Sequence, residues 1–269
     1  MLVFPNAKIN IGLNIVEKRP DGFHNIESCF YPVGWSDALE ITLADTLSFH
    51  SSGIEIPGND LDNLCIKAYK ILAEDYKLPA VTIHLLKAIP IGAGLGGGSA
   101  DAAFMIYALN EQFNLKISLK KQLDYARRLG SDCAFFIINK PVYCFQKGDH
   151  FEDIDLSLSG KWIVLLNPGV HISTPEAYAG VIPTAPESDL RDLLKEPVMS
   201  WKDTIKNDFE TTLFPKYPLL KTIKEDLYNL GATYAAMSGS GSTLYGIFEN
   251  EIDLSSRFKD FNIWQGLLR

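Results

Sequence analysis

A run of glycines near the middle of the chain is the strongest chemical signal in the sequence. It reads Pro90-Ile91-Gly92-Ala93-Gly94-Leu95-Gly96-Gly97-Gly98-Ser99, with five glycines in seven positions. Glycines lose much backbone entropy on folding, so the run indicates a place where a ligand or another segment must approach the backbone closely. Ser99 has the side chain of a helix N-cap, and the alanine-rich segment after it favours a helix that begins at once.

A glycine loop followed directly by a helix is typical of an anion site. The first backbone N–H groups of a helix have no partner within the helix, and its dipole favours negative charge at that end. Phosphate is therefore the expected ligand of this loop. The predicted contacts are Gly92, Gly94, Leu95, Gly96, Gly97, Gly98 and Ser99.

Two other phosphate-binding loops fit these residues less well. A Walker A loop has a lysine before its serine, but Gly98 stands at that position. The glycine spacing also matches a dinucleotide-binding fingerprint, which requires an acidic residue about 20 positions on, at the tip of a second strand. Glu111 is the nearby candidate, and we predict that it lies on the helix that follows Ser99. A flexible connection between a strand and a helix is the remaining alternative.

Two charged residues elsewhere could take part in chemistry on a phosphate. The segment 6–15 alternates strictly, which predicts a strand with Lys8 and Asn10 on its polar face. Asp132 stands at the predicted start of a short helix, where a carboxylate is favoured. From the residues alone, a surface lysine and a helix-capping aspartate are the ordinary interpretations. Lys87, just before the glycine loop, lies either near a nucleotide or at a solvated strand end.

The rest of the pattern predicts the elements that hold these residues. Strands are expected at 38–43, 81–86, 142–145, 162–166, 232–237 and 243–248, and helices at about 62–76, 118–129 and 218–230. Strands and helices do not alternate strictly, which favours an α+β fold with mostly antiparallel sheets. The length of 269 residues favours two domains. A polar stretch before an apolar strand places their boundary between 157 and 158, giving domains 1–157 and 158–269.

Composition narrows the classes of function. Hydrophobic residues make up 46% and charged residues 22%, as in ordinary globular proteins. The net charge of −8 argues against broad nucleic-acid binding, which needs a basic surface. No apolar run approaches the roughly 18 residues of a membrane span, and the first residues lack the order of a signal peptide, so we expect a cytoplasmic protein. Cys29, Cys65, Cys133 and Cys144 have no metal-binding spacing and are interpreted as buried thiols.

Seven short segments, taken together, resemble the GHMP kinases, a family named for galactokinase and for homoserine, mevalonate and phosphomevalonate kinases. They lie in the family's order at 5–10, 19–24, 62–64, 87–103, 129–132, 167–170 and 238–241. The resemblance implies an N-terminal ATP-binding domain, a C-terminal ferredoxin-like domain and an active site between them. It also implies ATP as co-substrate, Mg²⁺, and the hydroxyl of a small molecule as phosphoryl acceptor.

The same resemblance implies roles for the charged residues. Asp132 would be the general base that takes the proton of the acceptor hydroxyl. Lys8 would be the catalytic lysine, whose ammonium group keeps that carboxylate ionised. Lys87 and the glycine loop would bind ATP, and the hydroxyl of Ser99 would contact the phosphates or the metal ion; no other metal ligand is assigned.

The segment 19–24 resembles that of members whose acceptor is a cytidine-diphosphate-linked methylerythritol. His24 would read the cytosine edge, and Phe23 stands where the family commonly has tyrosine; its ring can still stack on a base, without the hydroxyl's hydrogen bond. Asn10, Thr174 and Gly239 would complete the substrate contacts with Asp132. A tight hairpin would use residues similar to those around Gly239.

Two alternatives remain on the sequence alone. One is a homoserine-, mevalonate- or sugar-type kinase of the same family, and the other is a non-catalytic sensor with the same fold. The expected partners are small molecules, with no nucleic acid and no membrane, and we expect a monomer or a loose homodimer.

Overall fold

The computed structural model describes residues 1–254 and 257–269. The strands are β1 (Leu2–Val3), β2 (Asn6–Lys18), β3 (His24–Ser36), β4 (Ala38–Leu43), β5 (Ser48–Gly53), β6 (Val81–Lys87), β7 (Val142–Phe145), β8 (His150–Asp153), β9 (Trp162–Asn167), β10 (Tyr234–Met237), β11 (Leu244–Phe248) and β12 (Asn262–Leu267). The helices are α1 (Leu64–Tyr76), α2 (Gly97–Gln112), α3 (Leu119–Leu129), α4 (Cys133–Ile138), α5 (Thr174–Ala179), α6 (Leu190–Leu193), α7 (Trp201–Thr204), α8 (Asp208–Lys216) and α9 (Pro218–Asn229). Short 3₁₀ turns lie at Asp60–Asp62 and Val198–Ser200.

The chain forms two compact units, each built from several segments. The first consists of residues 1–7, 35–91 and 96–140, and the second of residues 8–34, 92–95 and 141–269. The glycine loop therefore passes from one unit to the other between Leu95 and Gly96. The boundary at 157/158 stays a prediction.

The first unit places helices against one sheet. Its strand order is β1-β4-β6-β5, with β4 antiparallel and β5 parallel to β6. Helix α2 packs against α1, α3 and α4 and also contacts β4. Because α2 lies among these elements, its buried residues include alanines and Met105, which suit a helix with neighbours on several sides.

The second unit contains two further four-stranded sheets. Their strand orders are β2-β3-β7-β8, which mostly belongs to this unit, and β10-β11-β9-β12. In the sheet β10-β11-β9-β12, all three strand pairs are antiparallel, and α9 packs on β10 and β11. The prediction of an α+β fold with mostly antiparallel sheets is confirmed.

Several local predictions are also confirmed. Strands β4 and β7 have the predicted bounds, and α3 begins after Ser118, whose side chain accepts a hydrogen bond from the N–H of Lys121. Helix α3 ends at its predicted stop signal, with Gly130 as the C-cap residue. Glu111 lies on α2, as predicted, and so does not match the acidic residue of a dinucleotide-binding fingerprint. The four cysteines are buried, and none of them forms a disulfide bond. In the described part of the chain, no helix combines the length and the apolar character that crossing a membrane requires.

One prediction at the glycine loop is wrong. Ser99 is not the N-cap of α2, because the helix begins two residues earlier, at Gly97, and its N-cap is Gly96. Gly96 has a φ of 71°, a left-handed conformation that glycine adopts without strain, and no side chain caps this end. The glycine run thus replaces the side-chain cap that Ser99 was expected to supply.

Candidate functional site

The beginning of α2 has the backbone geometry of an anion site. Its first hydrogen bond runs from the N–H of Ala100 to the carbonyl of Gly96, at 2.9 Å. The N–H groups of Gly97, Gly98 and Ser99 precede that bond, so the hydrogen-bond ladder of the helix does not use them. Nothing lies within 4 Å of the position that a Cβ atom on Gly98 would occupy. The first turn of α2 is therefore open for a ligand at Gly98.

Two glycines of the loop are required by close approach. A Cβ atom on Gly97 would lie 2.9 Å from Nζ of Lys87, within the first unit. In the second unit, a Cβ atom on Gly94 would lie 1.9 Å from the carbonyl oxygen of Ser238, and Gly94 also has a φ of 78°. A larger residue at either position would have to displace its neighbour.

Lys87 lies in a buried ion cluster beneath the start of α2. Its ammonium group bonds Oδ2 of Asp37 and, at 2.8 Å, Oδ2 of Asp101. The three residues are only 4%, 1% and 1% exposed, respectively. The alternative of a solvated strand end at Lys87 is therefore wrong, because the burial of β6 continues to its last residue. Direct ATP binding by Lys87 stays a prediction.

The two carboxylates of this cluster have different surroundings. Oδ1 of Asp37 accepts hydrogen bonds from the N–H groups of Ala88 (2.6 Å) and Ile89 (2.8 Å). Oδ1 of Asp101 is buried and has no hydrogen-bond partner. Burial raises the pKa of Asp101 to about 7, with the nearby charge of Asp37 acting in the same direction and Lys87 opposing it. The same two carboxylates raise the pKa of Lys87 above its ordinary value, although burial alone would lower it.

Asp132 lies at the start of α4, as predicted. It is the N-cap residue, but its side chain makes no capping hydrogen bond. The capping interpretation of this aspartate is therefore wrong, and its role as general base stays a prediction. The next residue, Cys133, is buried beside the hydroxyl of Ser99, and burial raises the pKa of its thiol to about 11. Cys133 thus stays protonated and is not a nucleophile at neutral pH.

Lys8 and Asn10 lie together in the second unit, on the polar face predicted for β2. Both are buried, and Nζ of Lys8 donates to Oδ1 of Asn10. The amide nitrogen of Asn10 donates to Oγ of Ser28 at 2.9 Å, and the Lys8 ammonium lies 4.6 Å from the centre of the Phe30 ring. The solvated-surface interpretation of Lys8 is wrong, because the residue is only 4% exposed.

The turn at 238–243 joins β10 to β11, so the hairpin interpretation is correct. The turn also contacts the residues just described. A Cβ atom on Gly239 would lie 3.3 Å from both Oδ1 of Asn10 and Cα of Gly94. Oγ of Ser238 donates to the carbonyl of Gly94 at 2.8 Å. The hairpin therefore brings Gly239, Asn10 and the second-unit part of the glycine loop together.

Asn207 holds this turn and was not identified from the sequence. Its buried side-chain amide donates to the carbonyls of Met237 and Gly239, each at 2.8 Å. Its Oδ1 accepts the N–H of Phe209 at the start of α8. The order Asn207-Asp208 before a helix indicates an N-cap, but no sequence pattern indicates which distant carbonyls the amide reaches.

His24, Tyr178 and Phe209 form a row of contacting aromatic rings, which together with Phe23 we call the aromatic cluster. The ring of His24 stacks on that of Tyr178, with 4.6 Å between ring centres and 18° between planes, and Tyr178 meets Phe209 edge-on. Burial lowers the pKa of His24, and the charge of Lys18 adds to that effect. Phe23 is 56% exposed, and Nζ of Lys147 lies 5.1 Å from its ring centre. Tyr178 is a further aromatic residue that the sequence analysis missed.

Thr174 is exposed at the first position of α5, after the N-cap Ser173. Its substrate contact stays a prediction. Within residues 1–254 and 257–269, no three His, Cys, Asp or Glu side chains are grouped so as to hold a metal ion.

Comparison with known families gives two matches on this chain. The family model "GHMP kinases N terminal domain" matches residues 63–140, and "GHMP kinases C terminal" matches residues 185–259. The first match covers the start of α2 and Asp132. The second begins before Asn207 and extends through the turn at Gly239.

Similar proteins match almost the whole chain. A 4-diphosphocytidyl-2-C-methyl-D-erythritol kinase of Cytophaga hutchinsonii is 54% identical over 252 residues, with 93% of each chain covered. The protein of that name from Bacteroides fragilis is 51% identical over 255 residues, again with 93% of each covered. A crystal structure of 4-(cytidine 5'-diphospho)-2C-methyl-D-erythritol kinase superposes with a TM-score of 0.79 at 29% identity, covering 92% of this chain and 90% of that one.

Proposed function

The chain belongs to the GHMP kinase family, and on that premise we propose that it transfers the γ-phosphoryl group of ATP to 4-diphosphocytidyl-2-C-methyl-D-erythritol. The acceptor is the 2-hydroxyl of the methylerythritol, and the reaction belongs to the non-mevalonate route to isoprenoid precursors. The observation that carries this function is the identity of about half the residues, over 93% of the chain, with relatives that have this activity in their names. The match is too extensive to reflect the fold alone.

In the proposed reaction, Asp132 accepts the proton of the acceptor hydroxyl as that oxygen attacks the γ-phosphorus. Phosphoryl transfer depends mainly on positioning and on stabilising the charge of the phosphates. Asp132 stands at the start of α4, where the helix dipole favours the ionised carboxylate that a general base requires. Lys8, which lies on a rigid strand and is held by Asn10, would stabilise negative charge at the reacting oxygens.

The start of α2 is the proposed phosphate site. The N–H groups that precede its first hydrogen bond would donate to phosphate oxygens, and the helix dipole adds a favourable field. Magnesium at such sites is usually coordinated by the phosphates and by only one or two protein oxygens. The hydroxyl of Ser99, in the first turn, fits that limited requirement, and bound Mg²⁺ would neutralise charge on the transferred group.

The aromatic cluster is the proposed site for the cytosine ring. Aromatic faces stack on any base, and the edge of the base must be read by hydrogen bonds. His24 supplies a hydrogen-bonding edge and is itself fixed by stacking on Tyr178. The exposed ring of Phe23 offers a further stacking face. Asn10, Thr174 and Gly239 are proposed contacts to the rest of the substrate.

We propose that the enzyme is cytoplasmic and acts as a monomer or a loose homodimer, with ATP and the cytidylated alcohol as its partners. Size-exclusion chromatography with light scattering tests the oligomeric state. A stable larger assembly would contradict that part of the proposal.

A coupled assay of ADP release tests the substrate. The protein is incubated with ATP, Mg²⁺ and either the cytidylated methylerythritol, homoserine, mevalonate or galactose. We expect turnover with the cytidylated acceptor alone. Turnover with another acceptor would retain the family and remove the cytidine assignment, whereas ATP binding without turnover on any of the four would favour the sensor.

The variant Asp132→Asn tests the proposed base. We expect turnover to fall about 10²-fold or more while ATP binding is retained, because a general base contributes about that much. Asp124→Asn, at an exposed aspartate paired with Arg127 on α3, is the matched control. Near-normal turnover in Asp132→Asn would remove this residue from the mechanism.

A further inference from the structure

The buried cluster of Asp37, Lys87 and Asp101 contacts the first-unit segments on both sides of the glycine loop. On the entering side, Asp37 accepts the N–H groups of Ala88 and Ile89, where the chain leaves β6. On the leaving side, Lys87 bonds Asp101 on α2 and lies directly against Gly97, the first residue of that helix. The same three side chains thus connect the strand exit to the helix start.

We propose that Asp37, Lys87 and Asp101 are positioning residues for phosphoryl transfer, which fix the start of α2 against the end of β6 through the Lys87 ammonium. This inference rests on the proposed function, and it assigns Lys87 a different task from direct contact with ATP. The positive charge that meets the phosphates then comes from the backbone of α2, while that of Lys87 is directed to two carboxylates.

Stability alone is a poor explanation for such a cluster. Taking charges out of water is unfavourable, and neutral side chains of similar shape often stabilise a protein as well or better. The unpartnered Oδ1 of Asp101 adds a further unfavourable contribution. A cluster of this kind can instead define one position for the elements it joins, and the joined element here presents the N–H groups of the anion site.

Geometry explains why position matters at this end of α2. Catalysis of phosphoryl transfer depends on alignment, and a displacement of about 1 Å can lower a rate about 10²-fold. Gly97 leaves no spare distance, because a single added carbon would lie 2.9 Å from Nζ of Lys87. The ammonium group therefore lies close against the first turn of the helix, where the absence of a side chain on Gly97 leaves room for it.

The decisive variant is Asp101→Asn, which keeps the shape of the side chain and replaces the carboxyl group that the Lys87 ammonium bonds by a neutral amide. We expect it to fold, with kcat about 10- to 100-fold lower. The Kd for ATP should rise about tenfold, since the N–H donors lose alignment with the phosphates, while the Kd for adenosine stays within twofold. Asp192→Asn, at an exposed aspartate paired with Lys195, is the matched control and should change neither quantity.

A double-mutant cycle separates positioning from direct contact. If Lys87 acts through Asp101, then Lys87→Met combined with Asp101→Asn should lose no more activity than the more impaired single variant. If Lys87 binds ATP itself, the two losses should multiply, which would overturn the proposal. Should Lys87→Met fail to fold, Lys87→Gln takes its place in the cycle, because glutamine can still donate a hydrogen bond to the carboxylates of Asp37 and Asp101.

Values of kcat and ATP Kd within twofold of wild type in Asp101→Asn would also overturn the proposal. The binding measurements need no acceptor. If the wild-type protein does not turn over the cytidylated substrate, the proposed function fails, and the comparison of ATP with adenosine still decides the role of the cluster.

Discussion

Lys8 and Lys87 are equally buried, at 4% exposure each, yet they lie in very different surroundings. Lys87, in the first unit, bonds the carboxylates of Asp37 and Asp101. Lys8, in the second unit, contacts the neutral amide of Asn10 and the face of an aromatic ring within that unit. The burial of a lysine therefore does not indicate its function.

The difference indicates two uses of a positive charge. The charge of Lys87 stabilises the positions of the two carboxylates that it bonds, and these carboxylates raise the pKa of Lys87. Lys8 is oriented on β2 by its hydrogen bond to the amide oxygen of Asn10, and the family resemblance implies that it acts on the reacting groups. We therefore expect changes at Lys87 to alter folding and alignment, and changes at Lys8 to alter the chemical step.

The largest expected effect tests whether Lys87 stabilises the fold. Lys87→Met leaves Asp37 and Asp101 buried together without their cation, and breaking such a pair costs about 3–5 kcal/mol in the free energy of unfolding. Urea denaturation measures that loss. Adding Asp37→Asn and Asp101→Asn should restore most of the stability, because the cluster is then neutral. A stable Lys87→Met single variant would show that the two lysines do not differ in this way.

The next effect tests the catalytic half. Lys8→Met should lower kcat about 10²-fold, comparable to the loss of one donor that stabilises transition-state charge. The Kd for ATP should change by less than about threefold, since the phosphate donors lie on α2. Steady-state kinetics and calorimetry measure the two quantities. The control is Lys161→Met, which removes a lysine that forms a salt bridge with the exposed Glu249. Equal kcat values in the wild type, Lys8→Met and Lys161→Met would exclude Lys8 from the reaction.

The contrast between the lysines also shows how far the sequence reaches. Alternation along β2 correctly predicted a polar face that Lys8 and Asn10 share, because a strand repeats every two residues. The glycine run and the alanines after it correctly predicted a helix directly after the loop, for the same kind of local reason, although not its first residue. In both cases the information lies within a few residues of the chain.

The contacts that could not be predicted from the sequence join residues that are far apart along the chain. Asp37 and Asp101 are separated from Lys87 by 50 and 14 positions, and nothing near each residue indicates that they meet. The same holds for Asn207, whose amide reaches carbonyls 30 and 32 residues away. Ser99 shows a different limit: its type favours an N-cap, but glycine in a left-handed conformation began the helix earlier.

A third prediction compares Asn207, a neutral residue that holds a turn in the second unit, with the ionic cluster of Lys87 in the first unit. Asn207→Asp keeps the acceptor for the N–H of Phe209 but removes the two donors to the turn at Gly239. We expect a loss of about 1–3 kcal/mol in the free energy of unfolding, since both carbonyls then lack that donor. Asn63→Asp, which caps α1 without donating to a distant turn, is the control for thermal denaturation and should be nearly neutral. Equal stability of the two variants would mean that Asn207 is only a helix cap.

The smallest expected effect concerns His24 in the aromatic cluster. His24→Ala should raise the KM for the cytidylated substrate about tenfold, in line with one lost base contact, and leave kcat nearly unchanged. Burial lowers the pKa of His24 below its usual 6.5, so the ring is neutral at pH 7 and can accept as well as donate a hydrogen bond. In the wild-type protein, KM should therefore change as the pH falls through the lowered pKa of His24 and the ring becomes protonated. That change should be absent from His24→Gln, which cannot titrate. If the KM of His24→Ala equals that of the wild type, the cytosine binds elsewhere. If kcat falls instead, His24 takes part in the chemical step as Lys8 is proposed to do.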